Sequence, residues 1–120
     1  MVKCDIEDYE PVNFYKESKG IIDTCCRRIK GLDKKVEGNE ELEDLYWKLR
    51  DIIVKMDDQY IEVKEAYTEK NMHYAEECYV EITELSREFY DVFTKLMDTI
   101  ECKEFLIGIM LMTERDVYGM

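Results

Sequence analysis

Residues that interrupt regular structure are scarce in this chain of 120 residues. It has one proline and five glycines, and neither type occurs between Asn39 and Gly108. A fold of many short strands needs turns, and turns are rich in both residue types. The scarcity argues against such a β fold and favours long helices.

Residues that carry catalytic chemistry are also few. The only histidine is His73, and the chain has no glycine-rich loop that would cradle a phosphate. A serine or cysteine nucleophile needs a base, and nothing around His73 forms a recognisable catalytic motif. Three glutamates accompany His73 at helical spacing, namely Glu69, Glu76 and Glu77. They would offer metal ligands, but the paired Glu-x-x-His motifs of di-iron bundles are missing. We therefore expect no enzyme activity, no metal and no cofactor.

The five cysteines indicate a reducing compartment. An odd number without a CxxC pair is not the pattern of a disulfide framework or a structural zinc site. The acidic sequence MVKCDIEDYE at the N-terminus has no apolar core, so it does not resemble a signal peptide. The longest apolar run, Phe105–Met112, has eight residues and is too short to span a bilayer. We expect a cytoplasmic protein that does not bind membranes.

Apolar residues at alternating steps of three and four predict three helices. The first runs from about Val12 to Val36, with a break near Ser18–Gly20 as an open alternative, and follows a loose arm of residues 1–10. The second begins after Gly38-Asn39, because glycine suits the position past a helix end and asparagine caps the next helix. Its seam is Leu42, Leu45, Leu49, Ile52, Met56, Gln59, Val63 and Ala66.

A tight turn around Thr68–Asn71 is predicted to separate the second helix from the third. The rival interpretation is one continuous helix of about 70 residues, roughly 100 Å long. The third helix starts near Met72, and its seam is Ala75, Cys78, Ile82, Leu85, Phe89, Val92 and Leu96. The predicted fold is therefore all-α: one domain, residues 1–120, forming a coiled-coil-like three-helix antiparallel bundle. The apolar segment Phe105–Met112 either extends the third helix or forms a short fourth one.

A line of carboxylates lies beside the seam of the third helix. This acidic row consists of Glu77, Glu81, Glu84, Glu88, Asp91 and Asp98. The formal net charge of −12 makes direct binding of nucleic acid unfavourable. Residues 11–37 carry a net charge of +3, whereas residues 71–101 carry −6. The acidic row therefore faces either the basic first helix, the solvent, or the basic surface of a partner.

Aromatic and apolar residues outside the seams suggest a second candidate surface. Tyrosine is common at protein interfaces, and a helix that is apolar on all sides must be covered. The candidate residues for an interface between copies are Tyr60, Tyr67, Tyr74, Phe105, Ile109 and Met112.

The composition and the acidic row together predict a small binding protein without catalytic activity. It would act by occupancy, as an inhibitor or regulator of a protein with a basic surface. A nucleic-acid-binding protein is the most concrete partner, and small viral or mobile-element proteins that imitate a phosphate backbone act in this way. The alternative is a structural helical subunit that forms a homodimer or larger homo-oligomer.

Overall fold

The computed structural model describes the backbone of residues 13–118 and the side chains of residues 13–104. The described residues form four helices, α1 (Phe14–Ile29), α2 (Leu32–Val36), α3 (Glu40–Thr68) and α4 (Met72–Tyr118), and no strand. The all-α prediction is confirmed. The predicted arm of residues 1–10 lies outside the described residues.

The first predicted helix is interrupted, but not at Ser18–Gly20. α1 ends at Ile29, and Gly31 then adopts the left-handed conformation with φ of 85° before α2 begins. The predicted continuous helix up to Val36 was therefore wrong, as was the alternative position of the break. Ser18 remains helical because it packs in the core, where it is fully buried. The reorientation at Gly31 allows Leu32 and Val36 to reach the same core.

The boundary at Gly38-Asn39 is confirmed. Gly38 has a φ of 82°, and the Oδ1 atom of Asn39 accepts a hydrogen bond of 3.1 Å from the backbone N–H of Leu42. The carboxylate of Glu43 accepts a second bond of 3.1 Å from the N–H of Gly38. The side chain of Asn39 thus caps the N-terminus of α3, and Glu43 binds the residue that precedes this cap.

The predicted turn between the second and third helices is also confirmed. Lys70 has a φ of 60°, and the backbone N–H of Asn71 donates to the carbonyl oxygen of Ala66 at 2.8 Å. The side chain of Asn71 then caps α4 by accepting from the N–H of Tyr74 at 3.1 Å. The interpretation of α3 and α4 as one continuous helix was therefore wrong.

The predicted seams of α3 and α4 form the core. All predicted seam residues are buried except Gln59 in α3 and Val92 in α4, which are partly exposed. α1, α3 and α4 each pack against the other two, and α2 packs against α3. At one end the hydroxyl of Tyr74 donates to Glu62 at 2.9 Å, and at the other Nζ of Lys103 lies 4.0 Å from a carboxylate oxygen of Glu41.

The C-terminal apolar segment belongs to α4. The helix continues through Phe105–Met112 to Tyr118 without a break, so the segment extends the third long helix and does not form a separate one. The side chains of Phe105, Ile109 and Met112 lie outside the described residues. Their predicted role in an interface therefore stays a prediction.

Ser18 is the one buried polar side chain in the described core. Its side chain is fully buried, and its hydroxyl oxygen has no hydrogen-bond partner among the described residues. Leaving a buried hydroxyl unpaired costs about 1–3 kcal/mol, and alanine has the higher helix propensity. Replacing Ser18 by Ala is therefore expected to raise the free energy of unfolding by about 1–2 kcal/mol, measured by urea unfolding and circular dichroism.

Ser86 provides a matched control for this substitution. It is half-buried in α4, and its hydroxyl donates to the carbonyl oxygen of Thr83 at 2.7 Å. Because this hydroxyl is satisfied, Ser86→Ala should change the stability by less than about 0.5 kcal/mol. A Ser18→Ala variant that is no more stable than the parent would contradict the prediction.

Candidate partner-binding surface

The acidic row lies on an exposed edge of α4. All six side chains, from Glu77 to Asp98, are exposed to solvent. Among the described side chains, the row makes one contact with a basic group, in which Nε2 of His73 lies 3.1 Å from a carboxylate oxygen of Glu77. Both partners of that pair are largely exposed, so it contributes little to stability.

The acidic row does not face the basic first helix. α1 contacts α4 through a different edge, where the rings of Phe14 and Tyr79 lie 5.3 Å apart. Farther along, Gly20 and Ile21 of α1 line a groove together with Tyr90 of α4. No cation of α1 lies within ion-pair distance of the row in the described part of the chain. The carboxylates of the row are thus exposed to solvent.

The negative field at the start of the row is reinforced from α3. The thiol of Cys78 lies at this junction, and burial raises its pKa. The carboxylates of Glu62, Glu77 and Glu81 raise that pKa further, whereas a hydrogen bond with Tyr74 acts in the opposite direction. Glu62 belongs to α3, so carboxylates of two helices act together at this end of the row.

Two of the predicted interface tyrosines hold the helices of this chain together. The hydroxyl of Tyr67 accepts a hydrogen bond of 2.9 Å from the backbone N–H of Phe14, the first residue of α1. The ring of Tyr60 lies 5.2 Å from that of Tyr15, and the ammonium group of Lys64 lies 5.4 Å from the ring of Tyr60. Both tyrosines are half-buried in these contacts.

The third predicted tyrosine, Tyr74, is 37% exposed, but it also has an intramolecular role. Its hydroxyl donates to Glu62, and this hydrogen bond raises the pKa of Tyr74. All three tyrosines therefore contact other helices of the same chain.

A line of exposed apolar side chains on α3 was not recognised as a surface from the sequence. Trp47 is 61% exposed, Val54 56% and Ile61 53%. We call these three residues the outer stripe. The signal was present in the sequence, because these residues are spaced by seven and lie outside the predicted seam.

The outer stripe borders a groove between α1 and α3. The groove has a volume of about 570 Å³ and is lined, among others, by Arg27, Arg50, Val54 and Asp57. The guanidinium group of Arg50 lies 5.4 Å from the ring of Trp47. This face of the molecule therefore combines apolar side chains with charges of both signs.

The described cysteines are free thiols. Cys25 and Cys78 are buried in the core, whereas Cys26 and Cys102 are exposed. Burial raises the pKa of Cys25 to about 11, with a further contribution from Cys26. A thiol with so high a pKa is a poor nucleophile near neutral pH. No three histidine, cysteine, aspartate or glutamate side chains of the described residues are grouped as a metal site requires.

Comparisons with protein-family models, with curated proteins and with solved structures find no match for this chain. No helix among the described residues has the length and apolar character that crossing a membrane requires.

Proposed function

We propose that this chain is a small, non-enzymatic, cytoplasmic protein that binds a basic surface of another protein through the acidic row. The observation that carries the proposal is the exposure of all six carboxylates on an edge of α4 that lies away from the basic helix α1. Repulsion between like charges three and four residues apart costs a few tenths of a kcal/mol per pair. A partner rich in lysine and arginine would remove that repulsion.

The linear arrangement of the carboxylates suggests a nucleic-acid-binding protein as the partner, although the charges are more widely spaced than phosphates. The row extends from Glu77 to Asp98, roughly 32 Å at the rise of an α-helix. Six carboxylates over that length give roughly one charge per 5–6 Å, less than the one per 3.4 Å of a DNA strand. Lys95 interrupts the row. The chain would thus imitate part of a phosphate backbone and act by occupancy, as an inhibitor or regulator of the viral or mobile-element type.

The architecture that presents the row is proposed to be an antiparallel three-helix bundle of α1, α3 and α4. Two contacts support opposite directions for α3 and α4: Glu41 with Lys103, and Glu62 with Tyr74. The hydrogen bond between Phe14 and Tyr67 joins the start of α1 to the end of α3. The free thiols of the described cysteines are the form that a reducing cytoplasm preserves.

The test is competition with DNA for a basic DNA-binding protein, using purified linker histone and a fluorescent duplex as the probe. We expect the chain to displace the duplex, with a strong dependence on salt. Reversing Glu81, Glu84 and Glu88 to Lys should raise the half-inhibitory concentration about 30- to 100-fold without reducing helicity. The reason is that three attractive contacts become repulsive, at roughly 1 kcal/mol or less for each exposed charge.

A matched control separates the row from the net charge. Glu76, Glu101 and Glu104 are exposed carboxylates of α4 outside the row, and their reversal to Lys changes the net charge equally. In this control variant, the half-inhibitory concentration should rise by less than about fivefold. An equal rise in the half-inhibitory concentration of both variants would show that binding depends only on the net charge. No loss in the row variant would refute the acidic row as the binding surface.

A further inference from the structure

A small pocket with aromatic sides lies at the junction between α2 and α3. Gly38, with a φ of 82°, turns the chain between the two helices, and α2 packs against α3. The pocket has a volume of about 200 Å³. Its lining combines two aromatic rings, one aliphatic side chain and three carboxylates, namely Tyr46, Trp47, Val36, Asp33, Glu37 and Glu43.

The spacing of the lining residues explains why they share this pocket. On each of the two helices, the three lining residues occupy positions i, i+3 and i+4, so they lie on one side of that helix. Val36 and Tyr46 are buried and form the floor. Trp47 is largely exposed, as are Asp33 and Glu37, so the pocket is open to solvent on the side of these residues.

The charge of the pocket has one sign. Three carboxylates line it, and no basic side chain does. None of the three forms an ion pair among the side chains that the structure describes. One of them is held in place, because the carboxylate of Glu43 accepts a hydrogen bond of 3.1 Å from the backbone N–H of Gly38. The pocket therefore offers a preformed negative site to a cation from outside.

The cations near the pocket do not fill it. The guanidinium group of Arg50 lies 5.9 Å from the ring of Tyr46 and 5.4 Å from that of Trp47, but it lines the larger groove between α1 and α3 and not this pocket. Lys34 and Lys35 follow Asp33 in the sequence, yet neither belongs to the lining. Arg50 nevertheless shows that both rings lie at a distance from which a cation is attracted to an aromatic face.

The chemistry of the lining suits an ammonium group on an apolar stem. Carboxylates attract the charge and accept N–H bonds, and an aromatic face attracts a cation as well. A lysine side chain carries three rotatable donors on a four-carbon stem. A guanidinium group is planar and prefers two parallel bonds to one carboxylate, whereas these carboxylates come from two helices. A quaternary ammonium group has no N–H to donate.

We propose that this pocket binds the side chain of a lysine of a basic protein. The ammonium group would lie among the carboxylates of Asp33, Glu37 and Glu43, and its methylene stem would pack against the ring of Trp47. The pocket shares no residue with the acidic row, so it is a binding site beyond that surface, and the two proposals can fail independently.

Fluorescence of Trp47 tests the proposal directly, because it is the only tryptophan of the chain. The probe is a capped five-residue peptide with a central lysine between serines and glycines, titrated into the full chain at constant ionic strength. We expect a saturable change of the emission with a Kd on the order of millimolar, as for a ligand with few anchoring atoms. A peptide with norleucine at the centre keeps the stem without the ammonium group, and it should bind at least tenfold more weakly.

A pair of double variants locates the site. Asp33→Asn combined with Glu37→Gln should weaken binding of the lysine peptide at least tenfold. Glu40→Gln combined with Asp44→Asn is the matched control, because both residues are exposed, lie at the start of α3 outside the lining, and change the net charge equally. This control should weaken binding by less than about threefold. Circular dichroism confirms that each variant is folded.

Three results would overturn the proposal. The first is the absence of a saturable change with the lysine peptide up to about 50 mM, or an equal change with the norleucine peptide. The second is tighter binding of a matched arginine or trimethyllysine peptide, which would assign the pocket to a different cation. The third is an equal weakening in both double variants, because the peptide would then respond to the net charge of the chain and not to this pocket.

Discussion

Replacing Phe89 by Ala is expected to lower the free energy of unfolding by about 3–5 kcal/mol. Phe89 is completely buried in the middle of α4 and belongs to the core formed with α3. Its ring is stacked on that of Phe93 at 5.9 Å and meets the edge of Tyr90 at 5.4 Å. The substitution therefore removes buried apolar area and two aromatic contacts, and leaves a cavity between packed helices.

Urea unfolding followed by circular dichroism measures this loss, and Trp47→Ala provides the control. Trp47 is also aromatic and also lies on a long helix, but it is 61% exposed. Its removal should lower the free energy of unfolding by less than about 1 kcal/mol, because most of its surface is already in water. Both variants are compared with the parent chain at the same protein concentration. Similar losses in the two variants would contradict the assignment of the core.

The helix seams could be predicted because they depend on local periodicity alone. Steps of three and four identify the side of a helix that is buried, whichever helices cover it. The break in the first helix could not be located in this way. Gly20 and Gly31 are both permissive, and the choice between them depends on tertiary packing. Leu32 and Val36 reach the core only if the chain turns at Gly31, whereas a turn at Gly20 would remove Ser18 from the position where it packs.

The environment of the candidate surfaces depends on long-range contacts, which periodicity does not contain. The acidic row is exposed because α1 packs against a different edge of α4, where Phe14 contacts Tyr79. The role of Tyr67 follows from a hydrogen bond to Phe14, 53 residues away in sequence. The outer stripe was visible as a spacing of seven, but only the burial of α3 separates it from the core seam. Position on a helix was thus predictable, and what lies opposite each position was not.

Lys70 allows the sharpest test of the turn between α3 and α4. It has a φ of 60°, and a residue with a Cβ atom in this conformation is strained by about 1–2 kcal/mol. Glycine removes that strain but increases the entropy of the unfolded chain. Lys70→Gly is therefore expected to raise the free energy of unfolding by about 0.5–1 kcal/mol. Lys70→Ala keeps the strain and removes only the charge, so it should be nearly neutral.

Proline at the same position should have a large effect of opposite sign. Its ring fixes φ near −65°, which is incompatible with the turn. Lys70→Pro also removes the N–H that donates to the carbonyl oxygen of Tyr67 at 3.2 Å, and disfavours the helical conformation of Glu69. We expect a loss of about 3 kcal/mol or more in urea unfolding. If α3 and α4 were instead one continuous helix, glycine at position 70 would lower the free energy of unfolding by about 1 kcal/mol. The sign of the Lys70→Gly effect therefore distinguishes a tight turn from a rod, because only a turn with left-handed Lys70 is stabilised by glycine.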